Sequence, residues 1–176
     1  MRSVFVLALF GVTFATIAIV VRSGMLARKN PGQPINSAMR EAYGTQEIPA
    51  RDATVIAQKY PGTRDTPSGL RYIVRQAGTG TETPKPGQIV SVHYEATFLD
   101  GTKFDSSYDK GKGPFNFTYG TGAVILGWDD AISTMKRGEK RTLIVPYWLA
   151  YGEKGIRGKI QPKATLVFEL ELIDFK

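Results

Sequence analysis

Gly120-Thr121-Gly122-Ala123-Val124-Ile125-Leu126-Gly127-Trp128-Asp129 is the stretch from which the rest of this chain is read. A turn punctuated by Gly120 and Gly122 leads straight into an apolar segment that presents a tryptophan. Ile125, Trp128, Ile132 and Met135 follow at intervals of 3, 4 and 3, so they share one face of a helix predicted from about Ile125 to Lys136. Asp129 and Asp130 suit the positive first turn of that helix, and Lys136 and Arg137 suit its negative end. Gly138 supplies the stop.

On both sides of this helix the hydrophobic period becomes two, starting near Leu70. Ile89 to Leu99 places Val90, Val92, Tyr94, Ala96 and Phe98 on one face and Ser91, His93, Glu95 and Thr97 on the other. Asp100-Gly101 then signals a hairpin turn. Phe115 and Phe117 alternate with Asn116; Arg141–Val145 and Thr165–Ile173 complete the half-buried strands, with Glu169 and Glu171 on the wet side. The pattern predicts an α+β fold in which four to six antiparallel strands wrap one amphipathic helix.

The 176-residue chain divides into three parts. Ser3–Val21 runs 19 positions without a charge. As a helix it would be about 28 Å long, close to the roughly 30 Å hydrocarbon core of a bilayer. Residues 1–22 are therefore expected to be an N-terminal transmembrane signal-anchor, because Met25-Leu26-Ala27 is a poor cleavage site. The alternative is a cleaved signal peptide and a secreted protein. In either case the domain lies on the exported side, periplasm or lumen, although Arg22, Arg28 and Lys29 would themselves prefer the cytoplasm. Residues 23–65 read as a linker holding Pro31, Pro34, Pro49 and Pro61, with short helices possible over Ser37–Tyr43 and Asp52–Tyr60. Neither is long enough to be stable alone. Residues 66–176 form the domain.

The formal charge of +7 sits mainly outside that domain. Residues 1–64 hold 8 Lys and Arg against 3 Asp and Glu, whereas residues 65–176 hold 15 against 13. A nearly balanced domain without a basic helix argues against nucleic acid as a partner. There is no cysteine, which excludes disulfides, thiol nucleophiles and cysteine zinc sites. His93, the one histidine, lies on the polar face of a strand and reads as structural. Gly78-Thr79-Gly80 has no helix behind it to make a phosphate cradle.

Tyr94, Phe104-Asp105-Ser106-Ser107 and Phe115 upstream of the quoted stretch, with Ala150-Tyr151-Gly152 and Ala164-Thr165-Leu166-Val167-Phe168 downstream, form an ordered set. With Gly120–Asp129 this set resembles an FKBP-type peptidyl-prolyl cis-trans isomerase over roughly residues 66–176. The resemblance implies a pocket with Trp128 as its floor and Tyr94, Phe104, Phe115, Val124, Ile125 and Phe168 as its walls. It also implies that the Ile125 N–H and the Tyr151 hydroxyl bind substrate carbonyls, that Asp105 is an orienting group at the rim, and that Ile160 is an aliphatic rim residue. Phe98, Phe117 and Leu166 read as ordinary core.

That inventory matches what proline isomerisation needs. Rotation about the peptide bond has a barrier of about 18–20 kcal/mol, and X–Pro bonds take tens to hundreds of seconds. No bond is broken, so neither metal nor cofactor is required. The twisted transition state carries less charge separation than the planar amide, so a dry apolar pocket favours it, and a few oriented hydrogen bonds hold it. The implied partners are proline-containing polypeptides and macrolide inhibitors, the implied state a monomer. The rival reading is a chaperone or binding module on the same fold with little turnover.

The chain departs from the family pattern in the loop after Tyr151, at Ile156, Lys159 and Gln161, and at Ala123 and Leu126 beside the helix. The same loop gathers Lys154, Arg157, Lys159 and Lys163 against the single acidic Glu153. It reads either as solvated surface or as a rim that favours clients with Asp or Glu beside proline.

Overall fold

The computed structural model describes residues 46–111 and 113–176. The apolar Ser3–Val21 segment and the short helix expected over Ser37–Tyr43 lie outside them. Among the described residues no helix is long and apolar enough to cross a membrane.

Seven strands form one antiparallel sheet: β1 (Arg64–Asp65), β2 (Arg71–Gln76), β3 (Ile89–Phe98), β4 (Lys103–Ser106), β5 (Phe115–Thr118), β6 (Lys140–Val145) and β7 (Leu166–Phe175). Their order is β1-β2-β6-β7-β3-β4, with β5 also paired to β3. β7 runs along one side of β3. On its other side β5 takes the first half, from Ile89 opposite Thr118 to Val92 opposite Phe115, and β4 takes the second. The count exceeds the expected four to six because β1 and β4 are too short to show a period of two. The alternation read over β3 is realised: Val90, Val92, Tyr94 and Ala96 are buried, and the residues between them are partly exposed. Asp100-Gly101 makes the turn, with Gly101 at φ +97° and the Thr102 N–H donating to Asp100 Oδ1 at 2.8 Å.

The central helix is shorter than predicted. α2 spans Leu126–Ile132 and is preceded by Ile125 as N-cap. Past Ile132 the chain tightens, with Thr134 N donating to Ala131 O and Met135 N to Ile132 O. The reason is side-chain competition for the last carbonyls. Ser133 Oγ donates to Asp130 O at 2.6 Å, Thr134 Oγ1 to Ala131 O at 3.1 Å, and Arg141 on β6 reaches Ala131 O at 3.4 Å and Thr134 O at 3.0 Å. Arg141 therefore caps this end, where Lys136 and Arg137 had been expected. Arg137 instead pairs with Asp174 at 2.7 Å and lies over the Phe175 ring. The predicted apolar face is kept, with Ile125, Trp128, Ile132 and Met135 all buried against the sheet.

The carboxylates of the first turn do more than complement the dipole. Asp129 and Asp130 are both buried. Asp130 Oδ2 accepts from Ser68 Oγ at 2.6 Å and Thr66 Oγ1 at 2.9 Å, which ties the helix to the segment before β2. Gly127 lets α2 approach β6, because a Cβ there would lie 2.5 Å from Val145 Cγ1.

A second helix, α1 (Ala50–Lys59), occupies the stretch read as linker. Asp52 near its start accepts from Thr165 at 2.7 Å, and Lys59 at its end donates to Leu99 O at 2.9 Å. These ties anchor it beside the end of β3 and the start of β7. On the sheet face that points away from Leu143 and Phe168, Ile144 and Val167 form a buried cross-strand pair. Ile56 is 1% exposed. Burying it stabilises the arrangement by about 1.5–3 kcal/mol, which a helix of this length needs from its surroundings.

Candidate active site

The apolar and tyrosine residues named for the site belong to the hydrophobic core of the domain, and Asp105 is joined to it through Tyr94. Tyr94, Val124, Ile125, Trp128, Tyr151, Ile160 and Phe168 are buried together, and Phe104 and Phe115 pack against them half-buried. Tyr94 is placed by β3 and Asp105 by β4, where Ala96 pairs with Asp105 and Glu95 with Ser106. Two serines fix the backbone at this point. Ser107 Oγ accepts from Tyr94 N at 2.9 Å, and the Ser106 and Ser107 hydroxyls reach Tyr94 O, each at 3.2 Å.

With its backbone held, Tyr94 Oη donates to Asp105 Oδ2 at 2.9 Å, while Asp105 Oδ1 accepts from Ser106 N. Burial and then the Asp105 charge push the Tyr94 phenol well above the ordinary tyrosine range, so it stays a protonated donor. Tyr151 is raised for the same reasons, burial first and Asp105 second. Its hydroxyl has no hydrogen-bond acceptor among the described residues, yet it is not sealed among the buried, unpartnered atoms.

Trp128 is 0% exposed and sits at the bottom of the cluster. Tyr94 meets it edge-on at 5.1 Å between centroids, Phe168 at 5.5 Å and Phe115 at 6.3 Å. Phe104 in turn meets Phe168 edge-on at 6.3 Å. Such edge contacts set the positive rim of one ring against the negative face of the next and hold the rings apart at fixed angles. Two residues read as plain core also belong to this enclosure. Phe117 lies 6.1 Å from Trp128, and Phe98 stacks at a tilt on Phe104 at 4.8 Å.

The Trp128 Nε1–H is buried with no partner among the described residues. Trp148, by contrast, donates its Nε1–H to Ser68 O at 3.0 Å. Buried indole donors ordinarily find acceptors, so the two tryptophans differ in kind: Trp148 is satisfied by the fold and Trp128 is not. At the helix entrance Ile125 has φ −65° and ψ 150°. Its N–H precedes the intrahelical ladder, and among the described residues nothing accepts from it. His93 lies outside this enclosure, on the other face of β3; its Nδ1 is 3.0 Å from Ser107 Oγ and its ring stacks on Tyr108.

The model of the family described as FKBP-type peptidyl-prolyl cis-trans isomerase matches residues 80–173 of this chain. The chain belongs to that family. FK506-binding protein 1A of Neurospora crassa is 47% identical over 108 residues, covering 61% of this chain and 89% of the relative. Peptidyl-prolyl cis-trans isomerase FKBP4 of Mus musculus is 51% identical over 108 residues, but this chain spans only 23% of its length. Among solved structures, FkpA from Escherichia coli is similar with a TM-score of 0.62 and 38% identity over 80% of this chain and 61% of that one.

Some residues that build this FKBP site gave no sequence signal. The supports of Asp130 are hydroxyls 62 and 64 positions away. Ser106 and Ser107 stood inside the motif that carried the resemblance, but their role in clamping Tyr94 emerges only from the strand pairing. Past Tyr151 the loop folds on itself, Ile156 and Ile160 each donating to the other's carbonyl at 2.8 Å.

Proposed function

We propose that this FKBP domain accelerates rotation about X–Pro bonds in polypeptides at the aromatic enclosure over Trp128. The proline ring would rest among Trp128, Tyr94, Phe104, Phe115, Val124, Ile160 and Phe168. Backbone carbonyls flanking the bond would accept from the Ile125 N–H and the Tyr151 hydroxyl, with Asp105 holding Tyr94 in register. The observation that carries this reading is a pair of donors with no acceptor among the described residues, the Ile125 N–H and the Tyr151 hydroxyl, beside a set of aromatic rings around Trp128. A cage alone would be core; unspent donors at its edge suit a ligand that brings carbonyls. Lowering the barrier by about 5–6 kcal/mol gives roughly a 10⁴-fold acceleration. Macrolides that present a ring and carbonyls in similar geometry would compete for the same donors.

A protease-coupled assay on a Leu-Pro peptide with the full chain tests the reading. Acceleration of cis-to-trans conversion by less than tenfold at micromolar protein would leave the domain as a chaperone or binding module. For the N-terminal part we propose a membrane anchor over Ser3–Val21 that displays the domain on the exported side, supported by the length of that apolar run. Sequencing the mature N-terminus tests it: a start near residue 28 replaces anchoring with secretion.

A further inference from the structure

The loop after Tyr151 carries a cationic recess beside the proline site. Lys154, Arg157 and Lys159, with Ile156, Ile160 and Pro162, line an open pocket of about 510 Å³. It is a built feature. Beyond the reciprocal Ile156 and Ile160 bonds, Lys159 N donates to Ile156 O at 3.0 Å. Gly155 sits at φ +60°, where a Cβ would lie 2.3 Å from Ile160 O, so the loop closes only around a glycine. Lys163, the fourth cation of this stretch, is spent differently: it pairs with Glu153 at 3.3 Å and lies 5.7 Å from the Tyr147 ring centroid. Among the described residues no carboxylate lies within salt-bridge distance of Lys154, Arg157 or Lys159. Ile160 turns inward from this loop and is buried in the domain core to which Trp128 and Phe168 also belong.

We infer that Lys154, Arg157 and Lys159 select clients that carry Asp or Glu within a residue or two of the proline. This rests on the isomerase reading above and names the substrate class of that site. A proline seated against Ile160 brings its neighbours alongside the recess, since successive extended residues advance only about 3.3–3.6 Å. Three cations with no carboxylate partner among the described residues then attract a carboxylate and repel a lysine at the same position. Each exposed contact is weak, so the combined effect is a preference of about fivefold in kcat/KM, not an absolute requirement. It depends on salt, because the Debye length shrinks from about 20 Å near 20 mM to about 4 Å near 0.5 M.

The test compares full-chain turnover of peptides with Glu, Lys or Leu directly before proline, at low and high ionic strength. Glu-Pro is expected to exceed Lys-Pro by about fivefold at low salt and by less than twofold at high salt. The variant Lys154→Glu/Arg157→Glu/Lys159→Glu should reverse the order. Unaltered Leu-Pro turnover in that variant reports that its fold survives; if turnover falls, Lys159→Gln alone should still reduce the preference. Equal Glu-Pro and Lys-Pro rates at low salt, or a preference that survives charge reversal, overturn the inference. So does loop-dependent binding to phosphatidylglycerol vesicles with a Glu to Lys ratio of one, which would make the loop a membrane contact. No acceleration of Leu-Pro by the unaltered chain would instead sink the isomerase reading itself.

Discussion

Replacing Glu139 by alanine should lower the unfolding free energy by about 3–5 kcal/mol, the usual cost of stranding one member of a buried ion pair. Glu139 Oε1 accepts from Arg141 Nε at 2.6 Å, and its Oε2 accepts from the Lys136 N–H at 3.0 Å. Both side chains are buried, so water replaces neither bond. Arg141 has further duties: it caps the carbonyls at the end of α2, donates to Thr134 Oγ1 at 2.9 Å and lies over the Tyr72 ring at 4.5 Å. Arg141→Met is therefore expected to cost about as much as Glu139→Ala, since it frees a buried carboxylate and uncaps the helix. The two costs should not add. Removing both charges leaves neither stranded, so the double variant should fall at least 2 kcal/mol short of the sum. Urea unfolding of all four proteins measures this cycle, and a calorimetric midpoint drop of roughly 10–20 °C in each single variant accompanies it. Additive losses, or a single-variant cost below about 1 kcal/mol, would refute the argument that this pair is desolvated and coupled.

Tyr94→Phe removes one charge-assisted hydrogen bond to Asp105 but keeps the ring, so kcat/KM should fall about five- to twentyfold with the fold intact, read in the peptide assay alongside circular dichroism. Turnover should be flat between about pH 5.5 and 8.5, since no proton moves in bond rotation and His93 lies outside the enclosure; a bell-shaped profile, or loss of activity in His93→Ala, would contradict this. Stability should decline as pH rises through the ordinary tyrosine range near about 10. Tyr94 and Tyr151 hold their protons when folded and release them when unfolded, so their contribution is full below that range and lost above it, as alkaline unfolding midpoints would report. Gly127→Ala should cost about 1–3 kcal/mol by forcing a methyl onto Val145, and Val145→Ala in the same chain should recover part of that loss in thermal melts.

What the sequence by itself determined is what local periodicity and contiguous motifs record. The alternation of Val90, Val92, Tyr94 and Ala96 set the buried face of β3, and the spacing of Ile125, Trp128, Ile132 and Met135 set the face of α2. Side-chain direction follows the backbone period, which short stretches reveal. The ordered motifs from Tyr94 to Phe168 named the residues that gather around Trp128 for a similar reason, since each lies beside its own strand or turn signal. Tertiary structure alone decided where elements stop and what holds them. α2 ends at Ile132 because Arg141, Ser133 and Thr134 take the carbonyls that would otherwise extend it. Asp129 and Asp130 read only as complements to the helix dipole, but Asp130 is buried, with Thr66 and Ser68 arriving from across the chain to solvate it. α1 had weak helix signals and no visible partner in sequence. Ile144 and Val167, far from it in sequence, are buried on the sheet face that a one-helix reading would have left to water. Burial of a polar group or of a second sheet face is a property of pairs distant in sequence. No local pattern carries it, because its energy exists only once both partners have left the solvent.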